Sequence, residues 1–156
     1  MNKLVIVSGI PGSGKSSWIR GQISKKGGIH ISRDQVRYSL LAPNDEYFKK
    51  DKDVFRKFIN KIQDALDTND LTTIYVDATH LTKKSRAKVL NALRLDKDTV
   101  IEIIQFDVPL KVCIARNNLR TGRKRVPEET IADMFLSLEE PTEDEAKIIK
   151  FVKNGW

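Results

Sequence analysis

An α/β fold with a central, mainly parallel sheet flanked by helices is predicted by two features of the sequence. Short apolar, β-branched runs alternate with helical patterns, and the first such run, LVIV, leads directly into the glycine-rich stretch GIPGSGKS from Gly9 to Ser16. A strand, a glycine-rich turn and a helix in that order form a phosphate-binding unit.

Each element follows from local pattern. Strands are predicted over residues 3–8, 28–32, 72–77 and 99–106, where Val, Ile and Thr cluster. Helices are predicted over 15–26, 33–41, 46–67, 83–94, 110–119 and 128–138, and Pro109 and Pro127 suit the first turns of the last two. Beyond them, Glu139 to Glu145 reads as a solvated connection. Ile148, Ile149, Phe151 and Val152 have helical spacing and are expected to pack back on the sheet or on a second subunit, which leaves a homo-oligomer open. The aromatic stripe Tyr47, Phe48, Phe55 and Phe58 reads as core, with a base-stacking wall as the alternative.

Composition sets bounds on this reading. A chain of 156 residues buries roughly two thirds of its unfolded surface and needs no staples, so the whole chain, 1–156, is expected to form one domain. Its lone cysteine, Cys113, forms no internal bridge, and the short run at Leu4 to Val7 is neither a signal core nor a membrane span, so a cytoplasmic setting without a membrane partner is expected. The formal charge is +7, but unevenly placed. Every charged residue from Val108 to Pro127 is basic, and every one from Glu128 to Glu145 is acidic. The segment from Glu128 onwards holds three lysines and eight acids, leaving 25 basic and 13 acidic residues before it, a net of +12. An anionic partner suits that body.

The chemistry starts at the glycine-rich loop. Its spacing, GxxxxGKS, is that of a Walker A loop, in which Gly9, Gly12 and Gly14 let backbone N–H groups turn inward towards a triphosphate. Lys15 then lies against the β and γ phosphates, Ser16 offers its hydroxyl to Mg²⁺, and the helix N-terminus reinforces both. The implied cofactors are ATP, or another nucleoside triphosphate, and Mg²⁺. Ser13 and Ser17 complete the loop's donor-binding set.

In a parallel sheet, ligands bind at the carboxyl ends of the strands, so the segments after the strands nominate the site. After the second strand comes SRDQVR, in which Asp34 and Arg37 share a helix face while Ser32 or Asp34 caps the helix. At the end of the third, Asp77 resembles a Walker B acid that holds Mg²⁺ through water, and His80 follows as a loop residue or a catalyst. No glutamate follows Asp77 and no NKxD string occurs, which argues against a motor ATPase and a guanine-specific GTPase. After the fourth, Arg116 and Arg120 are four apart on a predicted helix and lead into TGRKR, a basic helical lid over about 116–127.

Taken together, GIPGSGKSSW, SRDQVRYS, DATHL with Arg86 after it, FDVP and RNNLRTGRKRVP resemble the 5′-hydroxyl polynucleotide kinases of phage and bacterial nucleic-acid repair, over nearly the whole chain. The resemblance implies a P-loop kinase fold, an ATP-dependent transfer to the 5′-hydroxyl of DNA or RNA ends, and a kinase-only version, since no DxDGT phosphatase motif occurs. It assigns Lys15 and Ser16 to the donor phosphates and Mg²⁺, Asp34 to the general base, and Arg37 to the acceptor's phosphodiester. It gives Arg120 to the transition state and Arg116 to the support of the lid. A lid about one residue longer than the family pattern leaves Arg123 or Arg125 open to share the role of Arg120. Two other readings fit the same residues: a kinase for another hydroxyl, in a nucleoside, a small metabolite or a hydroxymethylated base, and a nucleotide-gated nucleic-acid binding protein. Asp34 separates them, because a binding module has no need of a base.

Overall fold

A computed structural model describes residues 1–153. Five strands, β1 (Lys3–Ser8), β2 (Ile29–Ser32), β3 (Thr73–Asp77), β4 (Val100–Phe106) and β5 (Ile148–Val152), form one sheet in the order β2-β3-β1-β4-β5. Every pairing is parallel. The helices are α1 (Lys15–Lys26), α2 (Arg33–Leu40), α3 (Asp51–Thr68), α4 (Lys83–Asn91), α5 (Leu110–Asn117) and α6 (Glu128–Ser137).

The alternation of side chains along β1 sorts the core into two layers. Leu4 and Ile6 join Val54, Phe58, Ile62 and Val89 on one face of the sheet. Val5 and Val7 join Ile19, Cys113 and Ile131 on the other. A strand buried on both faces reads as a continuous apolar run, which is why LVIV carried so clear a signal. The chain leaves β1 for β2 on one side and later returns to β4 on the other, so the order of strands reverses beside β1. The crevice at its carboxyl end is the place where such sheets bind ligands.

Several boundaries differ from the sequence reading, each for a local reason. The tail is not helical: residues 148–152 form the fifth strand, adjoining β4. Its side chains alternate, with Ile149 against one core layer and Val152 against the other. Lys150 reaches the buried Glu102 of β4 at 3.3 Å, and Lys3 of β1 pairs with the same carboxylate. The helix expected from residue 46 starts at Asp51, because residues 42–50 form successive turns held by Asp45 N–H to the Ala42 carbonyl and Lys49 N–H to that of Glu46. Phe58 is core, whereas Tyr47 and Phe48 lie outside α3 and Phe48 is exposed. The helix α4 stops at Asn91 rather than residue 94, where the Gln63 side chain accepts the Arg94 N–H. Likewise α5 ends at Asn117, which removes Arg120 from the face it was expected to share with Arg116. Among the described residues no helix is long and apolar enough to cross a membrane.

The acidic connection is also more than solvated chain. Arg86 of α4 is fully buried, and its Nε and Nη2 donate to the two oxygens of Glu145 at 2.8 and 3.2 Å. Its Nη1 donates to the carbonyls of His80 and Glu139. One side chain thus joins α4, the turn after β3 and the tail. Arg86→Ala leaves a largely buried carboxylate and two carbonyls without their donor, and a loss of about 3–5 kcal/mol is expected. Urea unfolding of Arg86→Ala beside the exposed control Lys124→Ala measures it; equal midpoints contradict it.

Candidate functional site

The glycine-rich loop folds where the sequence places it. Gly12 and Gly14 have φ of 85° and 95°, in the left-handed region that glycine alone enters without strain. A Cβ on Gly12 would stand 2.3 Å from the Cys113 carbonyl oxygen, so the loop packs against α5 with room for hydrogen only. Lys15 curls back so that its Nζ donates to the carbonyls of Gly9 and Ile10 at 2.8 and 3.1 Å. Burial draws its ammonium below the ordinary lysine value, and the carboxylates of Asp77 and Asp34 oppose that shift while Arg120 adds to it.

Asp77 ends β3 directly beside this loop. Its Oδ2 accepts from Ser16 Oγ at 2.6 Å and contacts His30 Nε2 at 2.8 Å. Burial alone would raise its carboxyl, but the His30 hydrogen bond, the Lys15 charge and the Ser16 hydroxyl together hold it below the usual range. His30 was missed in the sequence; the signal was a polar residue inside the strand IHIS, paired in register beside β3.

His80 is buried, in a left-handed backbone conformation with φ 42°. Its Nδ1 lies 2.7 Å from the Val7 carbonyl. A carbonyl only accepts, so Nδ1 carries the proton and Nε2 presents a lone pair. That Nε2 is buried and has no hydrogen-bond partner. Burial pushes the imidazole down to about 4, with Arg33 and Lys15 adding to the shift and the Val7 carbonyl and Asp77 opposing it.

At the start of α2, Ser32 caps the helix by accepting the Gln35 N–H, which leaves Asp34 free of that duty. Asp34 is exposed, and its Oδ1 accepts from Tyr47 Oη at 2.6 Å. Arg37 lies within 3.9 Å of the same oxygen, but it is only 3% exposed. Its Nη1 donates to Asp51 and to the Tyr47 carbonyl, and its guanidinium covers the Tyr47 ring at 4.1 Å.

Over the loop, Arg116 Nη1 approaches the carbonyls of Gly12 and Ser13 at 3.4 and 3.3 Å. Arg120 is exposed at the start of the basic segment. Arg123 is engaged: its guanidinium lies 4.5 Å over the ring of Tyr38, and the pair exchanges hydrogen bonds through each other's backbone carbonyls at 3.4 and 3.5 Å. The buried Asn117 closes the base of the segment, its amide bonding both the N–H and the carbonyl of Val126. Tyr38, Tyr47 and Asn117 carried no motif in the sequence. Ser17 lies in the first turn of α1, where its Oγ accepts from Arg20.

The residues around the loop fit a polyphosphate with Mg²⁺. Ser13 Oγ is buried without a partner inside the curl, and the Ser16 and Asp77 oxygens form a hard pair at its edge. Sheet order and loop together define a P-loop domain of kinase-like fold. A family model described as "AAA domain" matches residues 4–141, and the chain belongs to that family. Among solved structures it is similar to a gluconokinase from Sinorhizobium meliloti, at 18% identity over 99% of this chain and 83% of that one, with a TM-score of 0.65. An unliganded sugar kinase from Janibacter sp. is similar at 18% identity over 100% of this chain and 87% of that one, with a TM-score of 0.70. A chain of the Pnkp1/Rnl/Hen1 RNA repair complex is similar at 21% identity and a TM-score of 0.71, over 88% of this chain and 44% of that one. At such identities the likeness is one of fold.

The buried His80 gives a measurable pH effect. Its value falls from an ordinary 6.5 in the unfolded chain to about 4 in the fold, so protons bind the unfolded state preferentially. Its contribution to stability is complete above pH 6.5 and is lost as pH falls towards 4, an effect of order 3 kcal/mol. Thermal unfolding between pH 7.5 and 4.5 is expected to show a shallower decline for His80→Asn than for the unaltered chain. Identical slopes contradict it.

Proposed function

We propose that this chain is a single P-loop kinase domain that transfers the γ-phosphate of ATP, or another nucleoside triphosphate, to the 5′-hydroxyl of a DNA or RNA end. The observation that carries the proposal is the seating of the glycine-rich loop beside the end of β3: Ser16 Oγ donates to Asp77 Oδ2 at 2.6 Å, and Lys15 Nζ lies on the loop carbonyls of Gly9 and Ile10. A phosphate ligand and a metal-holding acid thus adjoin, with Asp34 as the acceptor-side carboxylate and Arg120 as the lid cation of this reading. A loose phosphoryl transfer requires that set.

In this reading the loop N–H groups and Lys15 hold the β and γ phosphates, with Ser13 Oγ inside the curl and Arg116 bracing the loop. Ser16, and Asp77 through water, would hold Mg²⁺, which would supply charge neutralisation to the donor phosphates. Asp34 accepts the proton of the acceptor hydroxyl as the new O–P bond forms and the bond to the bridging oxygen breaks, leaving the nucleoside diphosphate. Arg120 neutralises charge on the transferring group. It takes this role rather than Arg123, whose guanidinium is occupied by Tyr38. The basic run from Lys111 to Arg125 supports a polyanionic acceptor.

A second reading, a kinase for a hydroxyl on a small molecule, is favoured by Arg37. To hold an acceptor phosphodiester it must exchange its bond to Asp51, and a neutral sugar makes no such demand. Two of the similar structures are a gluconokinase and a sugar kinase.

Transfer of labelled γ-phosphate from ATP with Mg²⁺ to 5′-hydroxyl DNA and RNA oligonucleotides decides between them, beside 5′-phosphorylated strands, nucleosides, gluconate and simple sugars. Label is expected on 5′-hydroxyl strands alone. Asp34→Ala and Arg120→Ala are each expected to lower kcat by about 10²–10³-fold with nucleotide affinity nearly unchanged. Label on a sugar or nucleoside instead moves the assignment to the second reading. ATP-dependent strand binding without label on any acceptor makes the chain a binding protein.

A further inference from the structure

The carboxylate of Asp34 stands exposed in the first turn of α2, where a free side chain samples several rotamers. Here it is held. Tyr47, thirteen residues on and outside any helix, reaches back to donate its hydroxyl to Oδ1 at 2.6 Å. The ring that carries this hydroxyl is itself fixed on two sides. The Arg37 guanidinium covers one face at 4.1 Å, and the Phe48 ring meets it edge-on with centroids 4.8 Å apart. Arg37 in turn is locked by Asp51 at the start of α3 and by the carbonyl of Tyr47. A chain of contacts therefore runs from α3 through Arg37 and the Tyr47 ring to one oxygen of Asp34.

We propose that Tyr47 is a positioning residue for the acceptor-side carboxylate: by binding Oδ1 it turns Oδ2 of Asp34 towards the incoming hydroxyl. The inference rests on the reading of Asp34 as general base and deepens it. With Oδ1 engaged by the phenol, the proton of the acceptor hydroxyl passes to Oδ2 while its oxygen bonds the γ-phosphorus and the bridging oxygen departs with the nucleoside diphosphate. Burial and the neighbouring Asp34 carboxylate raise the Tyr47 phenol, so it remains a donor through the neutral range. The arrangement also gives Arg37 a task that its burial permits. It holds the tyrosine ring and, through it, the base.

Tyr47→Phe keeps the ring, its stack on Arg37 and its contact with Phe48 while removing only the hydroxyl. Steady-state transfer to the 5′-hydroxyl strand is measured for the unaltered chain, Tyr47→Phe, Asp34→Ala and the double variant. Tyr47→Phe is expected to lower kcat by about tenfold, with KM for strand and ATP within about twofold. The double variant is expected to be no slower than Asp34→Ala alone, because a positioning residue has no effect once its carboxylate is gone. A Tyr47→Phe chain with full kcat, beside an inactive Asp34→Ala, overturns the positioning role and leaves the base standing. Loss of equal size with and without Asp34 marks a structural role and overturns it too. An Asp34→Ala chain active on its acceptor, or no label on any strand, removes the base and this inference together.

Discussion

The buried ion pair between Arg86 and Glu145 underlies the site from beneath. Removing two charges from water costs several kcal/mol for each, and attraction offsets that cost only when the geometry is good and the remaining donors are used. Arg86 meets both conditions, with a two-point bond to the carboxylate and two carbonyls on Nη1. One of those carbonyls belongs to His80, so the turn after β3 is fixed in place. That turn is stitched to the end of β1, through Gly9 N–H to the Thr79 carbonyl and Ser8 Oγ to that of His80. Gln105 of β4 joins the same network through Ser8 and Glu139. The phosphate loop therefore springs from a base whose rigidity depends on an acidic tail that follows the lid in sequence.

Above this base the site balances charge instead of accumulating it. Lys15 is drawn down by burial and Asp77 is held in its ionised form by partners that outweigh burial. The field of each favours the charged form of the other, and the low dielectric of the interior amplifies that attraction. His80 stays neutral beside them and adds a lone pair without adding a charge. In the proposed function, that combination suits a centre that receives a polyanion and a divalent cation together.

Much of the fold was legible because strands buried on both faces announce themselves. LVIV, TIYVD and VIEIIQF are such strands, and their ends fall within a residue or so of the structure. The fifth strand was not legible, since IIKFV places a lysine and a half-exposed phenylalanine on an edge and imitates helical spacing. At the site, Ser16 bonds Asp77 and Arg116 lies against the loop that Lys15 closes, contacts that the motif residues make because chemistry dictates their types and spacing. The residues that hold them, His30, Tyr38, Tyr47, Asp51 and Asn117, act across 9 to 85 positions of sequence. No local pattern encodes such pairings.

The helix α2 ties the two sides of the site together. Its first turn carries Asp34, its middle carries Arg37, and Tyr38 next to it receives Arg123 from the lid. The basic segment after α5 therefore touches the same helix that carries the Asp34 carboxylate. The hydrogen bonds of that contact are long, 3.4 and 3.5 Å, with Arg123 exposed and Tyr38 half-buried, so the contact is weak. The Asn117 clamp at the base is short, at 2.6 and 2.9 Å, and buried. The segment thus has a firm base at Asn117 and a loose tip on α2. In the proposed function, closure of such a segment over the donor phosphates would exclude water and fix α2 in one event, protecting the phosphoryl group from hydrolysis until both substrates are seated.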